Sequence, residues 1–338
     1  MSRIIRMETL KVLILGDANV DVTLPFGKIK PKINSLSIES QKLLQTGIDS
    51  AKKDACDFEL YLDSPSRELS ELFDSLDPKV AFGGCGAIKA LTLASMGHEV
   101  EFHSRVGNDH LGKMIISELK SEGVNCTYLR KEGKTNKTLN LFVPDSPRVA
   151  FSYWDIPTKE DILKFKKRIK EYSCDLTLLA GAHRKKTNIG YASLAKVATN
   201  PMVCMGSFAA YLKEELDMKK SGDFSVGGLI GNDSEVCQLA EIKPAQKAIS
   251  HLTNELVIMH GSPLSAVKVG KKVITHKHRP IEKERIVELT GIGDVWEATF
   301  LASCSNPSSA SENEIKDAMD IAAEAAVFRL LTGGVPLL

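Results

Sequence analysis

The chain predicts an α/β fold, a mainly parallel sheet covered by helices on both faces, and three observations carry that expectation. Short apolar runs rich in β-branched residues alternate with longer stretches of helical spacing. The 43% hydrophobic and 26% charged content is that of an ordinary globular chain, which argues against disorder or a fibrous repeat. No internal repeat, heptad array or low-complexity tract suggests a solenoid.

Strands are predicted over Leu10–Leu15, Val100–Val106, Thr138–Val143, Asp175–Ala180, Met202–Met205, Leu256–His260 and Ala266–Val269. Helices are predicted over Cys85–Met96, Leu111–Glu122, Lys159–Tyr172, Ile189–Thr199, Ala209–Lys219 and Ala245–Thr253. Asp320–Leu331 reads as a core helix with Ile321, Ala325, Phe328 and Leu331 on its inner side. Residues 31–79 interrupt the alternation as a polar insertion, helical over Ile38–Lys53 and Ser66–Leu76, and read as a cover over the sheet rather than part of it. The run Thr138–Val143, a Pro-Asp-Ser-Pro turn and Arg148–Tyr153 predict an antiparallel strand pair that could belong to the same cover.

Composition excludes some classes of function. With 44 basic and 43 acidic side chains the formal charge is +1, which argues against a broad nucleic-acid surface. The 7 cysteines include no CxxC pair, so neither a disulfide framework nor a zinc site is expected. The early apolar stretch is broken at Gly16 and Asp17, too short for a signal peptide, and no apolar run approaches a membrane span. A reducing cytoplasm is the expected location.

Chemistry concentrates in five glycine- and acid-bearing segments. In Thr290-Gly291-Ile292-Gly293-Asp294, two glycines turn the backbone into a helix whose first amides suit an anionic oxygen, with Asp294 placed to accept a proton from an attacking hydroxyl. A plain helix cap has the same pattern. Gly83-Gly84-Cys85-Gly86 precedes a helix and permits close backbone approach to a ligand, or tight packing. Gly16-Asp17-Ala18-Asn19-Val20-Asp21 follows the first strand, where α/β sheets open their ligand crevice, and Asn19 and Asp21 could bond sugar hydroxyls or merely form turns. Val106-Gly107-Asn108-Asp109-His110-Leu111-Gly112 leads into a helix that Asp109 could cap. Asn232 and Glu235 share one side of an opening helix, suited to holding Mg²⁺ through waters or to a capping box.

Taken together and in order, these segments resemble the ribokinase, or PfkB carbohydrate kinase, family, which carries G-x-x-N-x-D, G-G-x-G-A, V-G-x-D-x-x-G, N-x-x-E and T-G-x-G-D across its length. The resemblance implies a single ribokinase-like α/β domain over 1–338, with β-lid elements near 20–34 and 138–153 and a helical insertion near 35–79. It further implies an ATP- and Mg-dependent kinase acting on a hydroxyl of a small sugar or nucleoside. Asp294 would be the base, Gly291, Ile292 and Gly293 the anion hole, and Asn19, Asp21, Gly83 and Gly84 the acceptor site. Asn232 and Glu235 would tune Mg²⁺, while Gly261 and the Gly333-Gly334 segment would border the nucleotide. By analogy, a β lid packed against a second copy would make a homodimer.

Some positions depart from the family pattern. Ile88 stands where sugar kinases of the family carry an acceptor-binding Asn, and Glu288-Leu289 replaces the usual Asp-Thr, which bears on a monovalent-cation site. These departures keep open an ADP-dependent kinase, a sugar-phosphate kinase and a non-catalytic ligand-binding homologue. The lysines at 28, 30 and 32, the basic run Lys164–Arg168 and Arg184-Lys185-Lys186 read as solvated faces, and His276 with His278 lacks a third metal ligand.

Overall fold

The structure is a computed structural model and describes residues 8–54, 58–62, 67–143, 148–153, 159–180, 194–205, 227–261, 264–278 and 290–334. In β1 (Lys11–Gly16) successive side chains point to opposite faces. Val12 and Ile14 therefore enter one apolar layer while Leu13 and Leu15 enter the other. A strand buried on both sides belongs at the middle of a sheet.

The remaining strands are β2 (Asn19–Pro25), β3 (Phe58–Leu62), β4 (Lys79–Gly83), β5 (Glu99–Val106), β6 (Leu129–Lys131), β7 (Asn136–Phe142) and β8 (Val149–Tyr153). They continue with β9 (Leu176–Ala180), β10 (Pro201–Cys204), β11 (Gly228–Asn232), β12 (Leu256–His260), β13 (Leu264–Val269) and β14 (Lys272–Lys277). The helices are α1 (Phe26–Ile29), α2 (Ile38–Asp54), α3 (Arg67–Asp74), α4 (Cys85–Ser95), α5 (His110–Ser121) and α6 (Lys159–Glu171). They end with α7 (Asp233–Ala240), α8 (Ala245–His251), α9 (Ile292–Ser303) and α10 (Glu312–Thr332).

The large sheet runs β14-β13-β12-β11-β10-β9-β1-β5-β6, parallel from β6 to β12 and closed by antiparallel β13 and β14. On one face lie residues of α4, α5, α9 and α10, including Ala90, Ile115, Phe300 and Met319; on the other lie Phe165 of α6, Val236 of α7 and Ala248 of α8. The α/β expectation therefore holds. Its seven strands are present, and β2, β3, β4, β6, β11 and β14 are additional. The expected helix over 209–219 lies outside the described residues, as does most of 189–199; of the latter, 194–195 are helical and a turn follows.

A second sheet, β3-β8-β7-β2-β4, stands over the first. β7 and β8 pair antiparallel as expected, around residues 144–147, which lie outside the described part. The insertion corrects the expectation in one respect: β3 within it pairs with β8, so it supplies an edge strand as well as a cover. Its helices α2 and α3 bring Leu44, Ile48, Leu69 and Phe73 into the same apolar cluster as Val20, Val22, Leu139 and Phe151. The helix can come this close because Gly47 has no side chain, since a Cβ there would lie 2.7 Å from Val149 Cγ1. The other face of this sheet is polar. Asn19 and Asp21 on β2 stand opposite Asn136 and Thr138 on β7, and Thr138 stands opposite Ser152 on β8.

In α10 the inner stripe differs from expectation. Ala325 is buried, but the stripe is Ile315, Ala318, Met319, Ala322, Ala326 and Arg329, while Phe328 is 43% exposed. The helix begins at Glu312, before the predicted start, and the stripe that packs inward runs through Ala322, Ala326 and Arg329, which leaves the adjacent Phe328 on the outer side.

Candidate active site

Parallel strands deliver their carboxyl ends to one edge of a sheet, which is where α/β proteins open a crevice. Here Gly16 pairs with Ala180, Ala180 with Cys204, and Asn232 with His260 along that edge. The helix α9 begins there. Gly291, its N-cap, is left-handed with φ of 72°, a conformation glycine adopts without strain. The first amides of a helix lack intrahelical partners and carry the positive end of its dipole. Asp294 is the third residue of this helix and stays partly open, its side chain 18% exposed.

The carboxylate of Asp294 is held on one side only. Oδ1 accepts from Lys89 Nζ and from Cys85 Sγ at 2.8 Å, and among the described residues both of its contacts fall on Oδ1. Lys89 is fully buried and also pairs with Glu297 at 2.9 Å. Burial alone would lower the Lys89 ammonium, yet Asp294, Cys85 and Glu297 hold it well above its ordinary value. Burial, then the Asp294 charge, pushes the Cys85 thiol well up, so it remains a neutral thiol. Glu297 lies at about 2: burial acts upward, and Lys89 and His260 outweigh it. His260 Nε2 sits 3.0 Å from Glu297 Oε1, and that carboxylate raises the imidazole against the downward pull of burial.

The first turn of α4, which brings Cys85 to Asp294, also meets Asp17. Asp17, buried after β1, accepts from the amides of Cys85 and Gly86, each at 3.2 Å, and so caps α4. Its carboxyl is raised to about 7 by burial first and the Asp294 charge second. The close crossing of β1 and α4 needs Gly16, where a Cβ would lie 2.5 Å from the Cα of Gly86. Gly84 has φ of 100° and packs on the backbone of Asp17 and Ala18. Gly83 packs on Asp21 and Asn19, whose oxygens would lie 2.5 and 2.7 Å from a Cβ there. Asn19 Nδ2 donates to Thr138 Oγ1 at 2.7 Å, which lies 3.1 Å from Ser152 Oγ. Among the described residues, buried Asn19 Oδ1 has no hydrogen-bond partner. Asn19, Asp21, Gly83 and Gly84 thus gather into one polar patch, joined through Cys85 to Asp294.

The segments expected at the nucleotide also converge on α9. Asn232 caps α7 in a reciprocal box with Glu235: Oδ1 accepts from the Glu235 amide at 2.9 Å, and Glu235 Oε2 accepts from the Asn232 amide at 2.8 Å. Glu235 is raised to about 7 by burial, with Glu297 next. Gly293 lies against the His260 ring, where a Cβ would sit 2.7 Å from Cε1. Gly261 follows β12 and packs near Asp233. Gly333 caps α10 in the left-handed region with φ of 73°. Arg329 joins that cap to the α9 entry, Nε donating to Thr290 O at 3.2 Å and Nη1 to Gly333 O.

Other candidates take plainer roles. Asp109 caps α5 through the Gly112 amide at 2.8 Å and binds the Thr135 amide at 2.8 Å. Ile88 is buried beside Val295 and Ala325 and fills the space behind Gly291. Lys28 binds the carbonyls of Leu76 and Asp77, and His276 pairs with Asp320 at 2.7 Å. Within the basic run of α6, Arg168 is not a solvated cation but makes two 2.7 Å bonds to buried Glu101. Arg184–Lys186 and Glu288-Leu289 lie outside the described residues. No group of three His, Cys, Asp or Glu among the described residues could hold a metal.

Sequence reasoning missed Asp17, Lys89, Glu297, His260 and Arg329. Three of them had a signal: Lys89, Glu297 and Arg329 are single charges inside otherwise apolar helical runs. Such a charge is buried only when paired.

Residues 51–173 match the pfkB family carbohydrate kinase profile. Over that stretch the chain is similar to this family. Among relatives, a guanosine-inosine kinase from Exiguobacterium acetylicum is 25% identical over 271 residues, 72% of this chain and 82% of the relative. A ribokinase from Bacillus subtilis is 23% identical over 291 residues, 83% of this chain and 94% of the relative. The crystal structure of adenosine kinase from Sinorhizobium meliloti superposes with a TM-score of 0.70 at 19% identity, covering 98% of this chain and 97% of that one, and shares the fold. The profile match ends before Asp294, so the helix-mouth carboxylate is located by the geometry above. Among the described residues, no helix is long and apolar enough to cross a membrane.

Proposed function

We propose that this chain is a pfkB-family, ATP- and Mg-dependent kinase that phosphorylates a hydroxyl of a small sugar or nucleoside, with Asp294 as the base. One observation carries the proposal: a partly open carboxylate on the third residue of a helix whose left-handed glycine cap leaves its first amides facing the same crevice. In phosphoryl transfer, positioning and charge stabilisation supply most of the acceleration. The amides of Gly291, Ile292 and Gly293 would stabilise the transferred phosphoryl oxygens, and Asp294 Oδ2 would take the acceptor proton. The acceptor would lie against Asn19, Asp21, Gly83 and Gly84, where the unbonded Asn19 oxygen can accept from a hydroxyl.

Asn232 and Glu235 suit an outer-sphere magnesium position, being an oxygen donor pair with a carboxyl that burial keeps near neutrality and that a cation would return to its charged form. Mg²⁺, when bound, supplies charge neutralisation on the nucleotide phosphates. Gly261 and Gly333 would border that nucleotide. The polar sheet acts as the lid that excludes water, an arrangement that protects the nucleotide from hydrolysis. Its apolar face is covered by α2 and α3, so a homodimer would have to use another surface. The free cysteines at 85, 126, 174, 204, 237 and 304 accord with a reducing cytoplasm.

The test is ADP release from Mg-ATP with guanosine, inosine, adenosine, ribose and other sugars as acceptors. Turnover on one of them, abolished in Asp294→Asn, is expected. Nucleotide binding by calorimetry with no turnover on any acceptor would instead identify a binding homologue.

A further inference from the structure

We propose that Lys89 is a positioning residue for the Asp294 base: its buried ammonium fixes Oδ1 and so presents Oδ2 to the acceptor hydroxyl. The inference rests on the assignment of Asp294 as base and goes beyond it. Lys89 is 0% exposed, so it cannot reach a nucleotide or an acceptor and must act through its neighbours. It lies one turn after Cys85 on α4, and Cys85 and Lys89 converge on the same oxygen. The ammonium also bonds Cys85 Sγ at 3.0 Å and pairs with Glu297 at 2.9 Å. Three partners from two helices therefore fix the position of Nζ, and Nζ fixes the rotation of the carboxylate.

Charge matters here as well as orientation. The groups around Asp294 are Asp17 from the turn after β1, Cys85 and Lys89 from α4, and Glu297 from its own helix. Behind them stand Cys204 on β10, His260 on β12 and Glu235 on α7. Of the two cations in this set, only Lys89 contacts Asp294; His260 contacts Glu297. Without Lys89 the base would face Asp17 and Glu297 in a poorly solvated crevice with no adjacent positive charge. Lys89 thus supplies the cation that touches the base.

Lys89→Met removes the charge and the donor, and Lys89→Gln keeps a donor without the charge. Both are compared with wild type and Asp294→Asn for cooperative melting, for Mg-ATP affinity by calorimetry, and for kcat/KM on guanosine, adenosine and ribose over roughly pH 5.5 to 9.5. The expected result is a kcat/KM loss at neutral pH of about tenfold or more in both Lys89 variants, with nucleotide affinity held within about threefold. The loss should fall on kcat, with the acceptor KM held within about threefold, because the variants misplace the base without emptying the acceptor site. Gln should not restore kcat. A loss carried by KM, unchanged activity, or failure of both variants to fold overturns the proposal by making Lys89 scaffold only. An Asp294→Asn enzyme that turns over like wild type overturns the base assignment itself, which is a different outcome from a loss carried by KM.

Discussion

Arg329 Nε donates to the carbonyl oxygen of Thr290 over 3.2 Å, tying the last helix to the residue ahead of the Gly291 cap. Its Nη1 reaches the carbonyl of Gly333, so one guanidinium sets the spacing between the α9 entry and the α10 exit. A rigid fork can hold two carbonyls in fixed relation, which an ammonium on a flexible stem cannot. Arg329→Met is expected to destabilise the fold by about 2–4 kcal/mol in denaturant titrations, from two lost charge-assisted bonds in a buried setting. Arg329→Lys should recover much of that stability but leave kcat reduced, because it keeps charge without the fork. Equal kcat in Arg329→Lys and wild type would show that the spacing is unimportant for transfer.

Adjacent glycines of the β4–α4 turn should fail in different ways. At Gly83 an added methyl would meet the side-chain oxygens of Asp21 and Asn19 at 2.5 and 2.7 Å, groups that can swing aside. Gly83→Ala should therefore melt near the wild-type temperature while raising the acceptor KM by about tenfold. At Gly84 the φ of 100° and the carbonyl of Asp17 at 2.7 Å allow no such relief. Gly84→Ala should cost about 1–3 kcal/mol and lower the melting temperature by several degrees. Calorimetry and acceptor titration on the two variants separate these outcomes.

Asp17 makes stability depend on pH. Its carboxyl is raised from 3.8 to about 7 by burial and the Asp294 charge. The folded chain thus holds that proton more tightly than the unfolded chain, so its contribution is fully present below 3.8 and is lost as pH rises toward 7. Asp17→Asn removes the titration, and its stability should fall less steeply than wild type across that interval. The two Asp17 oxygens accept from two amides, and Asn can match only one, so a constant offset between the proteins is also expected. Parallel slopes from denaturant titrations at several pH values would rule out the assigned ionisation.

The fold was readable where periodicity was strong. β1, β9 and β12 are continuous apolar runs, and burial on both faces makes such runs distinct. β2 was placed only by the resemblance, as a lid element near 20–34, and not by its own pattern, because Asn19, Asp21 and Thr23 alternate with Val20, Val22 and Leu24 only once one knows that a polar crevice lies on one side and α2 and α3 on the other. β3 was missed because it is short and pairs with a strand about 90 positions later, a partner that local pattern does not reveal. At the site, Gly291, Asp294, Asn19 and Asp21 stood out because turns and helix mouths need particular residue types. Lys89, Glu297 and His260 did not, since their roles depend on which helices face each other. Asn232 and Glu235 form the capping box that was one of their two readings; the magnesium position remains a proposal, for which the box leaves Glu235 Oε1.

A second buried charge pair, far from the base in sequence, supports the edge of the large sheet. Arg168 on α6 makes two 2.7 Å bonds to Glu101 on β5 and stacks on the rings of Tyr128 and Tyr172, at 5.1 and 4.5 Å from their centroids. Burial acts upward on the Glu101 carboxyl, but Arg168 and His103 together bring it from 4.5 down to about 2. A lowered folded value means that the pair's stabilisation is present above 4.5 and is lost as pH falls toward 2. Arg168→Met leaves a buried carboxylate with the His103 ring and the Asn125 amide beside it but without its guanidinium, and should cost about 3–5 kcal/mol at neutral pH. Adding Glu101→Gln to that variant should recover part of the loss, because the uncompensated charge disappears. The difference between wild type and Arg168→Met should shrink in acid, where Glu101 protonates in both folded and unfolded chains. Denaturant titrations of wild type, each single variant and the double variant at neutral and acid pH measure the coupling, and a coupling near zero at neutral pH would mean that the two bonds contribute no net stability.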